Sequence, residues 1–233
     1  MFKKTILCLL AGSILVMGLE SCSSWSNTTK GSLIGGGAGA AVGAGVGALI
    51  GKNAKGTIIG AAVGSAVGAG TGAIIGHKMD QKAAALKAAM AEQASVETIE
   101  DSQGLKAIKV TFDADMSFAK NQSTLSASAK TALVNFAKTM STDDMVNTAI
   151  VVKGHTDSSG GDAINQPLSE KRAASVGTVL KNNGIAASRI TEYGLASSEP
   201  LTDNAADAAN RRVEVYILAT DAMVKQAEAG QLN

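Results

Sequence analysis

Glycine recurs at every fourth residue through one long stretch of this chain. One series runs Gly31, Gly35, Gly39, Gly43, Gly47, Gly51; a second runs Gly56, Gly60, Gly64, Gly68, Gly72, Gly76. The rest of the stretch is almost entirely Ala, Val, Ile and Leu, and its only charges are Lys52 and Lys55 of "KNAK", between the two series. A period of four is helical, because residues i and i+4 share a face. At about 1.5 Å per residue each series would span about 31 Å. Each glycine costs a helix about 1 kcal/mol relative to alanine, so a helix carrying six of them does not persist alone in water. Packing the two bare stripes together offsets that cost, since the backbones then approach closely, with right-handed crossings of about −40 to −50°. The spacing predicts a helical hairpin over 31–76, turning at 52–55. A flexible Gly/Ala linker is the competing reading, and so sustained a period disfavours it.

The residues before the stripe read as an export signal. Lys3 and Lys4 precede an apolar run from Thr5 to Leu19, shorter than the roughly 20 residues of a spanning helix. The run ends in "LESC", residues 19–22, which places a small Ser before Cys22. We expect a lipoprotein signal over 1–21, lipidation of Cys22 and a polar tether over 22–30; an ordinary signal peptide followed by an incidental Cys is the alternative. Cys8 would leave with the signal, so the mature chain can form no internal disulfide or thiolate metal site. Acyl chains, palmitate among them, anchor a protein by about 0.8 kcal/mol per buried methylene. Taking away residues 1–21 removes Lys3, Lys4 and Glu20 and leaves a formally neutral chain. That balance offers no general basic surface for nucleic acid.

After the stripe, residues 77–94 are rich in Ala, Lys and Gln and read as an exposed helical spacer with Leu86 and Met90 on one side. A globular pattern follows over 95–220. "SVETI", "LKAIKVTF", "NTAIVVKG", "SRITEYG" and "RRVEVYILAT" alternate as strands. Leu125, Ala129, Leu133 and Phe136 fall on one helical face. "LSEKRAASVGTVLKNNGI" predicts a helix capped by Ser169 and stopped by Gly184. Strands alternating with helices give an α+β domain, a two-layer α/β sandwich, with 221–233 as a C-terminal tail.

The stretch "VVKGHTDSSG", 151–160, gathers His155, Asp157 and Ser158, the ingredients of a hydrolase. On one short run they rarely reach triad geometry, and there is no G-x-S-x-G elbow. With only His77 elsewhere, a multi-His metal site is excluded, and no cofactor is expected. Asp157 stands at a strand end, and the expected helix puts Arg172 in its first turn. There the helix dipole disfavours a cation, which suggests a task such as holding an anion beside free helix N–H groups. Asp157 and Arg172 together would suit a zwitterion; a plain Asp157–Arg172 salt bridge is the alternative.

Two resemblances bear on this choice. The glycine series resembles the glycine-zipper motif of bacterial envelope proteins. "VVKGHTDSSG", "NQPLSEKRA", "GLASSEP" and "NRRVEVYI" stand in the order and spacing of the OmpA-like C-terminal domain, over roughly 95–220. The second resemblance implies a non-enzymatic domain that binds peptidoglycan at the diaminopimelate of the stem peptide. It carries the ligand contacts onto Asp157 and Arg172, with Thr156, Asn165, Arg211 and Arg212 as accessory positions. Together they imply an outer-membrane lipoprotein whose periplasmic domain tethers membrane to wall. Its partners would be peptidoglycan and outer-membrane lipid, with self-association through the zipper. A second reading makes the glycine hairpin a pore or oligomer that the wall domain merely positions. A motor stator would need an ionisable residue in a spanning helix, and the glycine segments have none.

Overall fold

A computed structural model describes residues 67–90, 93–101, 103–113, 118 and 121–232. The signal over 1–21, Cys22, the tether and the glycine stripe as far as residue 66 lie outside the described residues. The chain order is α1 (Ala69–Met90), β1 (Ser95–Glu100), β2 (Lys106–Asp113), α2 (Ala127–Met140), β3 (Thr148–His155), α3 (Asp162–Asn182), β4 (Ile190–Gly194), β5 (Arg212–Ala219) and α4 (Asp221–Glu228). The five strands form one sheet in the order β1-β2-β5-β3-β4. β1–β2, β2–β5 and β5–β3 pair antiparallel, and β3–β4 pairs parallel. Helices cover one face, which makes the α+β two-layer architecture expected from the sequence.

Period-two alternation sorts the strands between the two faces. Ile108, Val110, Phe112, Ile150, Val152, Val213, Val215 and Ile217 join the helices in the main core. Ala107, Ala149, Val151, Tyr216 and Leu218 form a smaller cluster on the opposite face. Ser126 caps α2 by accepting from Ala129 N at 3.1 Å, and Leu133, Phe136 and Met140 carry its buried stripe.

Three boundaries differ from the sequence reading, each for a physical reason. Residues 77–94 are not an exposed spacer. Residues 77–90 continue α1, whose Ile75, Met79, Ala83, Leu86 and Met90 are buried in the main core at helical spacing. An Ala- and Lys-rich composition hid that stripe. The last glycines of the second series lie in this helix. A Cβ on Gly76 would stand 3.3 Å from Lys106 Cδ, so Gly76 lets α1 approach β2, where Lys106 pairs with Asp80. The C-terminal residues are not a tail either, since α4 and Leu232 bury Met223, Val224, Ala227 and Leu232.

The third difference concerns α3, which starts at Asp162 rather than near Ser169 and runs 21 residues. Pro167 lies inside it. Ser169 is no cap; it is buried mid-helix, its hydroxyl donating to Gln166 O at 2.8 Å. Gly184 does end the helix, with φ +93 and Ile185 N donating to Leu180 O at 3.1 Å, an arrangement that favours glycine. Among the described residues, no helix is long and apolar enough to cross a membrane.

The docking of α1 makes a direct prediction. Leu86→Ala should lower the unfolding free energy by about 2–4 kcal/mol, the range for a buried large-to-small change, read from urea unfolding. An exposed spacer residue would shift it by less than about 0.5 kcal/mol.

Candidate functional site

The site is assembled where β3 ends against the middle of α3. Gly154 makes this possible, because a Cβ there would stand 2.2 Å from Ser169 O. The strand end is tied on both sides. Leu195 N donates to Gly154 O at 2.9 Å and Thr156 N to Ala196 O at 2.8 Å. Ala196 N in turn donates to Ser169 Oγ at 3.0 Å. Ala196 has φ +46, a strained conformation for alanine, and these two hydrogen bonds over-determine it. Past Thr156 the chain leaves the sheet. Asn165 of α3 then holds the next turn, donating through Nδ2 to Asp157 O at 3.0 Å.

The Asp157 carboxylate is clamped within its own turn. Its Oδ1 accepts from Ser159 N at 2.9 Å and from the Ser159 hydroxyl, an Asx-turn geometry. Its Oδ2 accepts from Arg211 Nη1 at 2.8 Å. Burial alone would raise the carboxyl, but Ser159 and Arg211 outweigh it and hold Asp157 below the usual carboxylate range. Asp157 therefore stays ionised across neutral pH.

The predicted site residues do not all converge. The argument that singled out Arg172 does not hold: it lies mid-helix in α3, so no dipole at a helix start acts on it. It is 3% exposed. Its Nε donates to Gln122 O at 3.1 Å, and its guanidinium lies over the Phe118 ring at 5.1 Å, a cation–π arrangement. Asp157 takes its ion pair from Arg211, not from Arg172, so the simple bridge between Asp157 and Arg172 is not formed. Thr156 contributes backbone, and its buried hydroxyl has no hydrogen-bond partner among the described residues. Asn165 is a clamp on the Asp157 carbonyl.

Arg212 leaves the site altogether. It opens β5, and alternation directs it with Glu214 and Tyr216 to the helix-free face. There Arg212 Nε donates to Glu214 Oε1 at 2.8 Å, and Tyr216 OH to Glu214 Oε2 at 2.6 Å. Lys109 adds its ammonium at 3.2 Å. Burial works to raise Glu214, but the His155 ring, Arg212 and the Tyr216 hydroxyl together hold it well below the carboxylate range. Tyr216 is pushed well up by burial and by Glu214. His155 belongs to this network too. It is fully buried, and its Nε2 lies 3.4 Å from Glu214, too poorly aligned for a hydrogen bond. The strand ends at His155, so Asp157 lies beyond it, in the turn that follows.

Sequence reasoning missed Ser159, Phe118 and Gln122. The first was legible, since Asp-x-Ser before glycines signals a side-chain turn. The other two reach Arg172 from a distant segment, which no local pattern announces.

Residues 117–214 match the model of the OmpA family. This chain carries an OmpA family domain. Residues 1–80 match the YMGG-like Gly-zipper model. Outer membrane protein A of Escherichia coli O157:H7 is 35% identical over 131 residues, which cover 51% of this chain and 38% of that protein. Outer membrane porin F of Pseudomonas fluorescens is 51% identical over 73 residues, 30% of this chain and 22% of that one. The chain thus spans well under two thirds of these relatives. The crystal structure of a putative MotB like protein from Desulfovibrio vulgaris superposes with a TM-score of 0.52 at 22% identity, covering 64% of this chain and 94% of that one; this likeness shows the shared fold. The OmpA family domain holds every residue of the site described above.

The buried network predicts how stability depends on pH. Burial, opposed by Glu214 and reinforced by Arg212, lowers the His155 pKa. The unfolded chain takes up this proton near pH 6.5, at about the model-peptide value, and the folded one resists it. Stability therefore falls as pH drops through about 6.5 towards the lower folded value. Urea midpoints measured from neutral pH downward should decline over that window, and His155→Asn should flatten the decline.

Proposed function

We propose that this chain is an outer-membrane lipoprotein whose OmpA family domain binds peptidoglycan without cutting it. The reading places the lipid on Cys22 and the domain in the periplasm, so that the protein tethers the outer membrane to the cell wall. The ligand is the diaminopimelate of the stem peptide. Its free end is a zwitterion: an ammonium and a carboxylate on one carbon.

The observation that carries this reading is the Asp157 carboxylate, kept ionised and fixed in its turn by Ser159 and paired with the Arg211 guanidinium. Such a site supplies the two charges that a zwitterion needs. Asp157 accepts from the ammonium, and Arg172 and Arg211 face the carboxylate, where a planar guanidinium donates in a fork. His155 and Ser158 have no catalytic part in this reading. His155 is spent on the Glu214 network, and Ser158 N is tied to Ala205 O at 2.9 Å. Each contact is modest, and hold on the wall comes from many copies on one polymer. The names of the relatives support the outer membrane as location, and the OmpA family match supports the wall as partner.

The test is co-sedimentation of the full chain with insoluble peptidoglycan. Asp157→Ala and Arg172→Ala should each weaken binding by at least about tenfold, roughly one lost charge-assisted contact, while circular dichroism shows the fold intact. Retained binding in both variants would sink the proposed site. Release of soluble wall fragments by the native chain would show an enzyme instead.

A further inference from the structure

Residues 195–211 join β4 to β5, and apart from the short turn Ala208–Asn210 they form no helix or strand. Connections without structure of their own rarely exceed about 12–15 residues, and the longer ones commonly serve a site. Among the polar residues of this one, only Asn210 is buried, at 1% exposed. Asparagine carries an acceptor and a two-proton donor on one short side chain, and Asn210 uses both on the main chain of its own loop. Its Oδ1 accepts from Leu201 N at 2.7 Å and from Thr202 N at 3.2 Å, and its Nδ2 donates to Asn204 O at 2.8 Å. The segment 201–204 is thereby wrapped around a single amide. The backbone of Asn210 is anchored in turn. Its N–H donates to Asp207 O at 3.1 Å, and its carbonyl accepts from Arg212 Nη1 at 3.4 Å. Arg212 is itself locked to the buried Glu214.

The wrapped segment delivers Ala205, the residue that follows it. Ala205 O accepts from Ser158 N at 2.9 Å. Ser158 stands between Asp157 and Ser159, inside the turn whose Ser159 N–H holds the Asp157 carboxylate. Asn165 of α3 grips the same turn at the Asp157 carbonyl. One grip on the turn thus comes from the helix layer and the other from the loop. Ala205 is small and exposed, so hydrogen bonds within the loop, rather than packing, set its place. We propose that Asn210 is a positioning residue for wall binding: its buried amide shapes the loop so that Ala205 holds the Asp157 turn ready for the ligand. Asn210 acts through Ala205 and Ser158 and touches no ligand itself. The inference rests on the peptidoglycan reading. Once the amide is removed, the loop loses its shape, the turn loses one of its two grips, and the carboxylate has to be ordered as the ligand arrives, which weakens binding.

The experiment takes the full chain and its Asn210→Ala, Asn210→Asp and Leu86→Ala variants through co-sedimentation with insoluble peptidoglycan, amide hydrogen exchange and thermal melts. Leu86→Ala is the control for lost stability alone, since it empties part of the α1 stripe. At a temperature where the melt shows it folded, Asn210→Ala should bind the wall about tenfold more weakly than the native chain. Its Ser158 N–H should exchange faster, while the amides of β3 and β5 stay protected. Asn210→Asp keeps an acceptor for Leu201 and Thr202 but cannot donate to Asn204, and it should fall between. Leu86→Ala should melt lower and bind like the native chain. An Asn210→Ala chain with native binding, or with unchanged protection at Ser158, overturns the proposal. So does a Leu86→Ala chain that loses as much binding for the same fall in melting temperature, because stability alone then accounts for the loss. If Asn210→Ala does not fold, Asn210→Asp decides on the same two readings: both native overturns the proposal, both weakened supports it. A native chain that does not bind the wall overturns the wall-binding reading itself, and this proposal with it.

Discussion

Backbone contact between the parallel strands and the third helix is the constraint on which the rest depends. A Cβ on Gly154 would stand 2.2 Å from Ser169 O, one on Gly194 would stand 2.4 Å from Glu170 N, and one on Gly177 would run into the Glu192 carboxylate. Three glycines, two on the strands and one on the helix, therefore form a seam where the layers meet closer than side chains allow. Ser169 and Asn165 turn that closeness into hydrogen bonds that hold the loop after β4 and the turn after β3. Asp157 projects from this fixed turn, so its position follows from the seam rather than from local preference. A recognition site that depends on one carboxylate needs such preorganisation, because every degree of freedom frozen on binding reduces affinity.

Behind the site, the sheet carries a second organising feature. Glu214 is buried with Arg212, Lys109, Tyr216 and His155 around it, and Lys153 reaches Glu199 at 3.3 Å while lying over the Tyr216 ring. A buried ion cluster of this kind contributes little net stability, but removing one member leaves the others uncompensated. Its value here is positional. By locking Arg212, it fixes the chain on which the neighbouring Arg211 turns toward Asp157. Two adjacent arginines thus take opposite parts, one structural and one facing the site.

Much of this was legible in the residues. The five strands announce themselves by alternation, and α2 by the spacing of Ala129, Leu133 and Phe136, although Leu125, read on the same face, stands before the helix. The Asp157 turn is written in "DSSGG". Arg212 could have been assigned to the sheet, since Arg212, Glu214 and Tyr216 share one face of any strand through "RRVEVYI". Other features were hidden for physical reasons. Pro167 and the glycines before it disguise the start of α3, which misplaced Arg172 at a helix terminus and gave it a wrong rationale. The docking stripe of α1 runs through alanines and lysines whose composition resembles a solvated helix. The contacts of Arg172 with Phe118 and Gln122 join segments about fifty residues apart, and only the tertiary fold brings them together.

The central claim is that one preorganised carboxylate, paired with a guanidinium, holds a zwitterionic wall peptide. The most direct measurement is a nuclear magnetic resonance titration of the folded chain with a soluble, diaminopimelate-containing muropeptide. The account predicts saturable shifts concentrated at the Asp157 and Ser159 amides and at the guanidinium signals of Arg172 and Arg211, with the β1 and α4 resonances unmoved. Shifts centred elsewhere on the domain, or none at saturating peptide, would contradict it.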